Sequence, residues 1–196
     1  LFSIQICPKI GESYFIRDIV ENKQLVDMLE CPKIRKYVHS GKAEYQSLKC
    51  AGIQLRGLYF DTMIAAYLID PTKKGIGLKE LSRELLHIEV KDYEKEFKAE
   101  KTFKDIYNDN PEQAVQYACA DADNTLRLAG IFKPKIDKDF RKIFYDIEMP
   151  SSMILAQMEL NGVKIDQTLI NQQLLDNQKL LDIAELELIA EGGKFI

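Results

Sequence analysis

The spacing of apolar residues changes near residue 77, and this change limits the folds open to the chain. Up to residue 69, short β-branched and aromatic runs alternate with stretches of helical spacing, which predicts strands and helices in turn. From Leu78 onward, almost every apolar stretch has helical spacing. Alternating strands and helices predict an α/β fold, with a mixed sheet flanked by helices, and the later pattern predicts a helical extension.

The predicted strands and helices follow one another closely along the chain. We expect a hairpin of strands 1–7 and 13–19 around Gly11, and two further strands at 34–38 and 57–61. Helices are expected over 22–29, 42–50, 63–69, 78–86, 111–126, 140–160 and 167–191. Pro150 marks a kink or restart in the helix at 140–160, and Asp166 caps the helix at 167–191. Residues 91–105 carry many charges and few apolar anchors, so they are expected to form an exposed mobile connector.

Composition excludes several classes of protein. The 196 residues are 46% hydrophobic and 30% charged, which is typical of a globular chain with a core and not of a disordered one. The net charge of −4 provides no broad basic surface for nucleic acid, although Lys42, Lys49 and Arg56 can form a small patch. With two histidines, the chain has no His-rich metal site.

The cysteines and the apolar runs indicate the cellular setting. Four cysteines are scattered without a Cys-x-x-Cys pair, so reduced thiols are expected rather than disulfides. No apolar run approaches the roughly 18 residues of a membrane span. We therefore expect a cytoplasmic protein that has no membrane partner.

One short segment carries residues suited to hydrolysis. The usual nucleophile and phosphate-loop motifs are missing, whereas Tyr117 and Asp121 lie one helical turn apart and share a helix face. A phenol beside a carboxylate can position a water next to a metal ion bound by that carboxylate. The same spacing also occurs where a buried ring merely lies beside a solvated acid.

Three stretches together indicate a family. Residues 52–68 are GIQLRGLYFDTMIAAYL, and residues 117–123 are YACADAD. The third stretch is the pair IEMP at 147–150 and MELNGVKID at 158–166. In order and spacing, these stretches closely resemble the exonuclease domain of bacterial DNA polymerase I, the family A polymerases. The resemblance implies a ribonuclease-H-like exonuclease fold over residues 1–145. It also implies that residues 146–196 are the helical start of the polymerase domain, in its thumb region.

The resemblance implies a two-metal site built from four carboxylates, which would hold Mg²⁺ or Mn²⁺ and hydrolyse a single-stranded 3′ end of DNA. Asp121 would bind metal and Tyr117 would orient the attacking water. In the second motif Glu44 replaces the family's aspartate as catalytic residue and metal ligand, with Ser40 and Lys42 beside the nucleic acid. Glutamate places its charge about one C–C bond further out, which the strict geometry of magnesium tolerates poorly.

The first motif, Asp-x-Glu, would lie on a strand that precedes Leu1, so the first strand of the fold is expected to be missing from this chain. Asp61 is not a substitute, because Met63 takes the place of the glutamate, and we expect Asp61 to cap a helix instead. With at most two of the four ligands, the free chain is expected to be a weak or inactive nuclease.

The sequence is compatible with three functions. The chain is the 3′–5′ exonuclease domain of a family A polymerase, or a non-catalytic domain that braces the polymerase domain, or an unrelated helical interaction protein. The first two have DNA and the remainder of the polymerase chain as partners. Apolar residues on and around one side of the helix at 167–191 predict weak self-association through this helix.

Overall fold

Two hydrogen-bonded strands open the fold. The computed structural model describes residues 1–89 and 102–192. Strand β1 (Ser3–Lys9) pairs antiparallel with β2 (Glu12–Arg17), and their register aligns Ile4 with Ile16. The hairpin predicted around Gly11 is confirmed, and this glycine has the positive φ of +86° that a tight turn requires.

A second pair of strands follows, each strand preceded or followed by a helix. Helix α1 (Lys23–Glu30), strand β3 (Lys36–Val38), helix α2 (Gly41–Cys50) and strand β4 (Leu58–Asp61) come in that order. Strand β3 pairs parallel with β4. The strands that the structure describes therefore form two two-stranded sheets, one antiparallel and one parallel, where the sequence predicts a single mixed sheet.

Helices then cover both sheets. Helix α3 (Thr62–Ile69) follows β4 directly, and it is succeeded by α4 (Leu78–Leu85), α5 (Phe103–Asp109) and the 25-residue α6 (Pro111–Lys135). Helix α6 packs against β1 and β2 of one sheet and against β3 of the other. The two sheets are thus held on a common helix, although no described strand joins them.

The helical block after α6 differs from its prediction. Its order is a π-helical turn (Ile136–Phe140), the short α7 (Arg141–Ile143), a second π-helical turn (Phe144–Glu148) and α8 (Met149–Asn161). Pro150 is the second residue of α8, and the backbone is helical without a break from the second π-helical turn into α8. The departure from regular α-helical geometry lies in the π-helical turns before Pro150.

The predicted connector at 91–105 falls mainly on residues 91–101, which lie outside the described residues. Its last part is not a connector, because residues 103–105 begin α5. Thr102 caps this helix through a capping box with Asp105, a reciprocal pair of hydrogen bonds that satisfies backbone N–H groups.

Two apolar clusters form most of the core. One groups α3, α4, α6 and the π-helical turns around fully buried Phe60, Leu128 and Phe144. The other packs the inner side of the hairpin and helices α1 and α2 around Leu29 and Ile53, which are 4% and 2% exposed. All four cysteines are free thiols, as the sequence predicts.

The chain divides into two compact units, Leu1–Leu160 and Asn161–Ile196. In the second, Asp166 accepts hydrogen bonds from Thr168 and Leu169 and so caps α9 (Gln167–Ala190), as predicted. No side chain of α9 is buried, and its apolar residues are spread around the helix rather than confined to one side. The expectation of an apolar stripe on one side of this helix is therefore wrong.

Candidate active site

A cavity of about 610 Å³ lies between the two sheets. It is lined by consecutive residues of β1, 3–8, and by consecutive residues 34–39 around β3. Since side chains alternate between the two faces of a strand, lining by consecutive residues means that the cavity runs along the strand edges. Each of these strands has a single partner among the described strands, so the edges that face the cavity are unpaired there.

Both predicted metal ligands reach this cavity, from different helices. Glu44 of α2 and Asp121 of α6 both line it. The structure thus brings the carboxylate of the second motif (Glu44) and that of the third motif (the pair Tyr117 and Asp121) to one cavity, although 77 positions separate them in the chain. Tyr117 lies one turn before Asp121 on the same helix.

The third-motif pair contacts a lysine that the sequence did not single out. The Nζ atom of Lys79, on α4, donates a hydrogen bond to Oδ1 of Asp121 and forms an ion pair with it. The same ammonium lies 4.0 Å from the centroid of the Tyr117 ring, a cation–π distance. The side chains of Lys79 and Asp121 are 18% and 32% exposed, so water screens this pair only in part.

Burial and Lys79 act on Asp121 in opposite directions. Burial raises the pKa of the Asp121 carboxyl, and the hydrogen bond and charge of Lys79 lower it, with a net pKa above the usual aspartate value. A lysine in this position therefore offsets part of the free energy that burying the carboxylate costs.

Glu44 is held in a different environment. Its residue surface is exposed where it opens onto the cavity. Burial of the carboxyl among surrounding atoms, and then the charge of Asp61, nevertheless raise its pKa above the usual glutamate value. The two candidate ligands therefore both favour the protonated form more than free side chains do.

Asp61 fixes the start of α2, the helix that carries Glu44. Its carboxylate accepts hydrogen bonds from the backbone N–H groups of Ser40 at 3.2 Å and Gly41 at 2.5 Å. It also accepts from Met63 N at 2.8 Å and so caps α3, which confirms the predicted capping role. One buried carboxylate, 2% exposed, thus joins the β3–α2 turn to the β4–α3 turn.

The two residues predicted beside nucleic acid have structural contacts of their own. Ser40 adopts the left-handed conformation with φ +64° before α2, and its side chain makes no capping hydrogen bond. Lys42 Nζ lies 2.7 Å from Oε1 of Glu159 on α8. The small basic patch predicted from Lys42, Lys49 and Arg56 is therefore weakened, because one of its charges is paired.

His39 is a second residue that the sequence did not single out. The hydroxyl of Thr62 donates to the Val38 carbonyl at 3.1 Å, which leaves its oxygen to accept from Nδ1–H of His39 at 2.9 Å. Burial lowers the pKa of His39, so this ring is neutral at pH 7. The ring links β3 to the start of α3, and a lone histidine at a strand end gives no sequence signal of that link.

Metal-binding capacity follows from the donor set. Among residues 1–89 and 102–192, no three His, Cys, Asp or Glu side chains are grouped so as to hold a metal ion. Magnesium requires near-octahedral oxygen coordination, and one oxygen of Asp121 already accepts from Lys79. The described residues therefore do not fit a two-ion site by themselves.

Known proteins resemble this chain in both sequence and fold. The family model for 3′–5′ exonuclease matches residues 1–137. DNA polymerase I of Borreliella burgdorferi is 38% identical over 154 residues, which is 78% of this chain and 16% of the relative. DNA polymerase I of Bacillus subtilis is 31% identical over 176 residues, 85% of this chain and 19% of the relative.

Two solved structures superpose on the chain. The polymerase domain of Pol1 from M. smegmatis, in complex with DNA primer-template and dNTP, covers 95% of this chain with a TM-score of 0.71 and 26% identity, and 30% of its own chain is matched. Brucella melitensis NrnC with bound Mg²⁺ covers 84% of this chain with a TM-score of 0.62, and 80% of its own chain is matched. At 22% identity, the likeness to NrnC shows the fold alone.

The fold is of the ribonuclease-H-like exonuclease class, as predicted. The chain belongs to the 3′–5′ exonuclease family found in DNA polymerase I. It spans less than a fifth of the length of the curated relatives described above. Of the helices that the structure describes, none has both the length and the apolar character needed to cross a membrane.

Proposed function

We propose that this chain is an exonuclease domain of a family A polymerase whose hydrolytic site is incomplete within these 196 residues. Tyr117, Asp121 and Glu44 are the residues that remain of the site, with Asp121 and Glu44 as its metal ligands and Ser40 and Lys42 on the side of the DNA. A complete site would bind Mg²⁺ or Mn²⁺, activate water and stabilise the departing 3′ oxygen of a single-stranded end.

The observation that carries this proposal is the pair of carboxylates in the cavity. Glu44 and Asp121 line the same space, and four carboxylates are needed to offset the charge of two divalent ions. With two carboxylates from the described residues, one of them bonded to Lys79, the described part of the cavity lacks the ligands to hold both ions beside a phosphate.

The cavity also supports a place for a further strand. It separates the unpaired edges of β1 and β3, while α6 packs on the strands at both sides of it. An inserted strand would satisfy N–H and C=O groups on both edges and join the two sheets into the mixed sheet of the family. We propose that this is the position of the family's first strand, with its Asp-x-Glu motif directed toward Glu44 and Asp121.

A bracing role in the polymerase is the second candidate. It is favoured by the altered second motif, since Glu44 stands where the family has aspartate, whatever precedes Leu1. The similarity to Pol1 of M. smegmatis, whose structure contains DNA primer-template, supports a position beside a DNA-synthesising domain. The sequence encoded upstream of Leu1 separates the two candidates, because an Asp-x-Glu strand there favours an exonuclease and its absence favours a brace.

A nuclease assay tests the proposal. The purified chain is incubated with a 5′-labelled single-stranded oligonucleotide and Mg²⁺ or Mn²⁺, in parallel with its Asp121→Asn variant. We expect neither protein to shorten the DNA, because the ligand set is incomplete. Shortening by the unaltered chain that Asp121→Asn abolishes would contradict the proposal, whereas shortening by both proteins would indicate a contaminating nuclease.

A further inference from the structure

Lys79 occupies the space between the two residues of the third motif. Its ammonium group is bonded to Asp121 and lies over the ring of Tyr117, the two groups that the family resemblance assigns to metal binding and water orientation. The positive charge of Lys79 therefore already lies beside the Asp121 carboxylate, at the place where a metal ion would be expected.

The backbone of Lys79 is firmly anchored. It is the second residue of α4, whose Leu81 and Ser82 are 1% and 0% exposed. Because packing holds α4 in place, the ammonium is tethered near Asp121, and a tethered group competes at a high effective concentration with a dissolved one. Its charge also repels an approaching dication, and this repulsion is strong where water is partly excluded.

We infer that Lys79 acts as a tethered cation that takes the place of a divalent metal ion at Asp121. The inference rests on the proposed function, since it concerns the same incomplete site. It identifies Lys79 as the residue that keeps metal from Asp121, and it explains how a partly buried carboxylate is tolerated in a domain whose described residues lack a metal-ligand group. Lys79 thus determines which cation lies at Asp121, because its own ammonium occupies the place of a metal ion.

Paramagnetic broadening by Mn²⁺ provides the test, because it detects weak binding and does not depend on nuclease activity. The full chain and its Lys79→Met variant are titrated with Mn²⁺ alone, and the backbone amide signals of residues 118–125 are followed by NMR. We expect selective broadening of these signals in Lys79→Met and not in the unaltered chain. The apparent Mn²⁺ affinity should increase by about tenfold or more, the size of effect that a neighbouring charge has on proton binding.

Two further variants make the result specific. Lys73→Met is the matched control, because Lys73 also pairs with a carboxylate, Glu84, and its side chain is 21% exposed against 18% for Lys79. It should leave the signals of residues 118–125 unchanged. Adding Asp121→Asn to Lys79→Met should abolish the new broadening.

The inference is overturned if the unaltered chain and Lys79→Met respond equally to Mn²⁺, if Lys73→Met has the same effect, or if the response survives Asp121→Asn. Should Lys79→Met fail to fold, Lys79→Gln replaces it, since glutamine keeps a hydrogen-bond donor and removes the charge. A failure of the proposed function is separate: it would appear as DNA shortening by the unaltered chain, whatever the Mn²⁺ titration gives.

Discussion

Asp61 is the residue that sets the position of the second carboxylate of the site. It accepts hydrogen bonds from backbone N–H groups at the starts of both α2 and α3, and it is 2% exposed. A buried N–H group that loses its acceptor destabilises the fold by its full desolvation penalty, because no water takes the place of the acceptor. The geometry of Glu44 therefore depends on a residue that carries no chemistry of its own.

Replacing Asp61 should destabilise the fold more than replacing an ordinary helix cap. We expect Asp61→Ala to lower the free energy of unfolding by about 3 kcal/mol or more, since several buried or partly buried N–H groups lose their acceptor together. Asn22→Ala is the matched control: Asn22 is an exposed cap that accepts from Leu25 N at 3.1 Å, and its loss should cost about 1 kcal/mol. Urea unfolding of both variants measures the difference, and equal losses would contradict the role given to Asp61.

Glu44 should make stability depend on pH in a defined direction. Burial raises its pKa in the folded chain, so its contribution to stability is fully present below the unfolded pKa, roughly 4.3, and is lost as the pH rises through the folded value. Glu44→Gln removes this loss. The variant should equal the unaltered chain at pH 4 and exceed it at pH 7.5.

The gain from Glu44→Gln is small, at most about 1 kcal/mol, because solvent that reaches the cavity screens the charge. Thermal melts at the two pH values measure it. A variant that is less stable at pH 7.5 than at pH 4, relative to the unaltered chain, would have the wrong sign.

At the scale of elements, the junction between β3 and β4 depends on a single glycine. Gly57 has φ +68°, and its carbonyl accepts from Lys36 N at 2.9 Å. A Cβ at this position would lie 2.4 Å from the carbonyl oxygen of Ile34 and 3.0 Å from that of Cys31. The backbones approach so closely here that only glycine fits, and this approach brings β3 against β4.

Gly57→Ala should therefore cost much more than an alanine at another left-handed glycine. Gly52 is the control, because its φ is +82° and a Cβ there meets nothing within 4 Å. Gly52→Ala should cost about 1–2 kcal/mol, the price of the left-handed backbone. Gly57→Ala adds a clash with fixed carbonyl groups and should exceed that by about 2 kcal/mol in urea unfolding. Equal costs would show that the β3–β4 junction can widen without loss.

At the scale of the whole molecule, α9 exposes an unusual amount of apolar surface. Most of its leucines and isoleucines are exposed by about half or more, for example Leu174 at 62% and Leu186 at 68%. An apolar helix of this kind is normally buried against partners. The segments of the relatives that match this chain make up only 16% to 19% of their length, so most of each polymerase lies outside the matched segment. We propose that α9 packs there in a polymerase, and that it supports weak self-association in the free chain.

Sedimentation velocity over a range of concentrations tests self-association. We expect a concentration-dependent dimer that the double variant Leu174→Glu/Leu181→Glu reduces, because it places charges in the contact. The control Gln173→Glu/Asn177→Glu adds the same charge at polar positions of α9 and should leave the dimer unchanged. A strictly monomeric chain at all concentrations would contradict this prediction.

The sequence alone determined much of the local structure and the family. Caps at Asp61 and Asp166, the turn at Gly11 and the apolar spacing of most helices act over a few residues, so the chain predicts them directly. The resemblance in residues 52–68 and 117–123 added the fold class, and with it the expectation that Tyr117, Asp121 and Glu44 belong to one site.

Only the tertiary structure decided which charges meet. Lys79 and Asp121 are 42 positions apart, and Lys42 and Glu159 are 117 positions apart. Pairing of charged side chains depends on how helices pack on the sheets, and no local pattern records that distance. The separation of the strands into two sheets around a cavity arises in the same way, because strand edges pair or remain open according to what lies beside them in space.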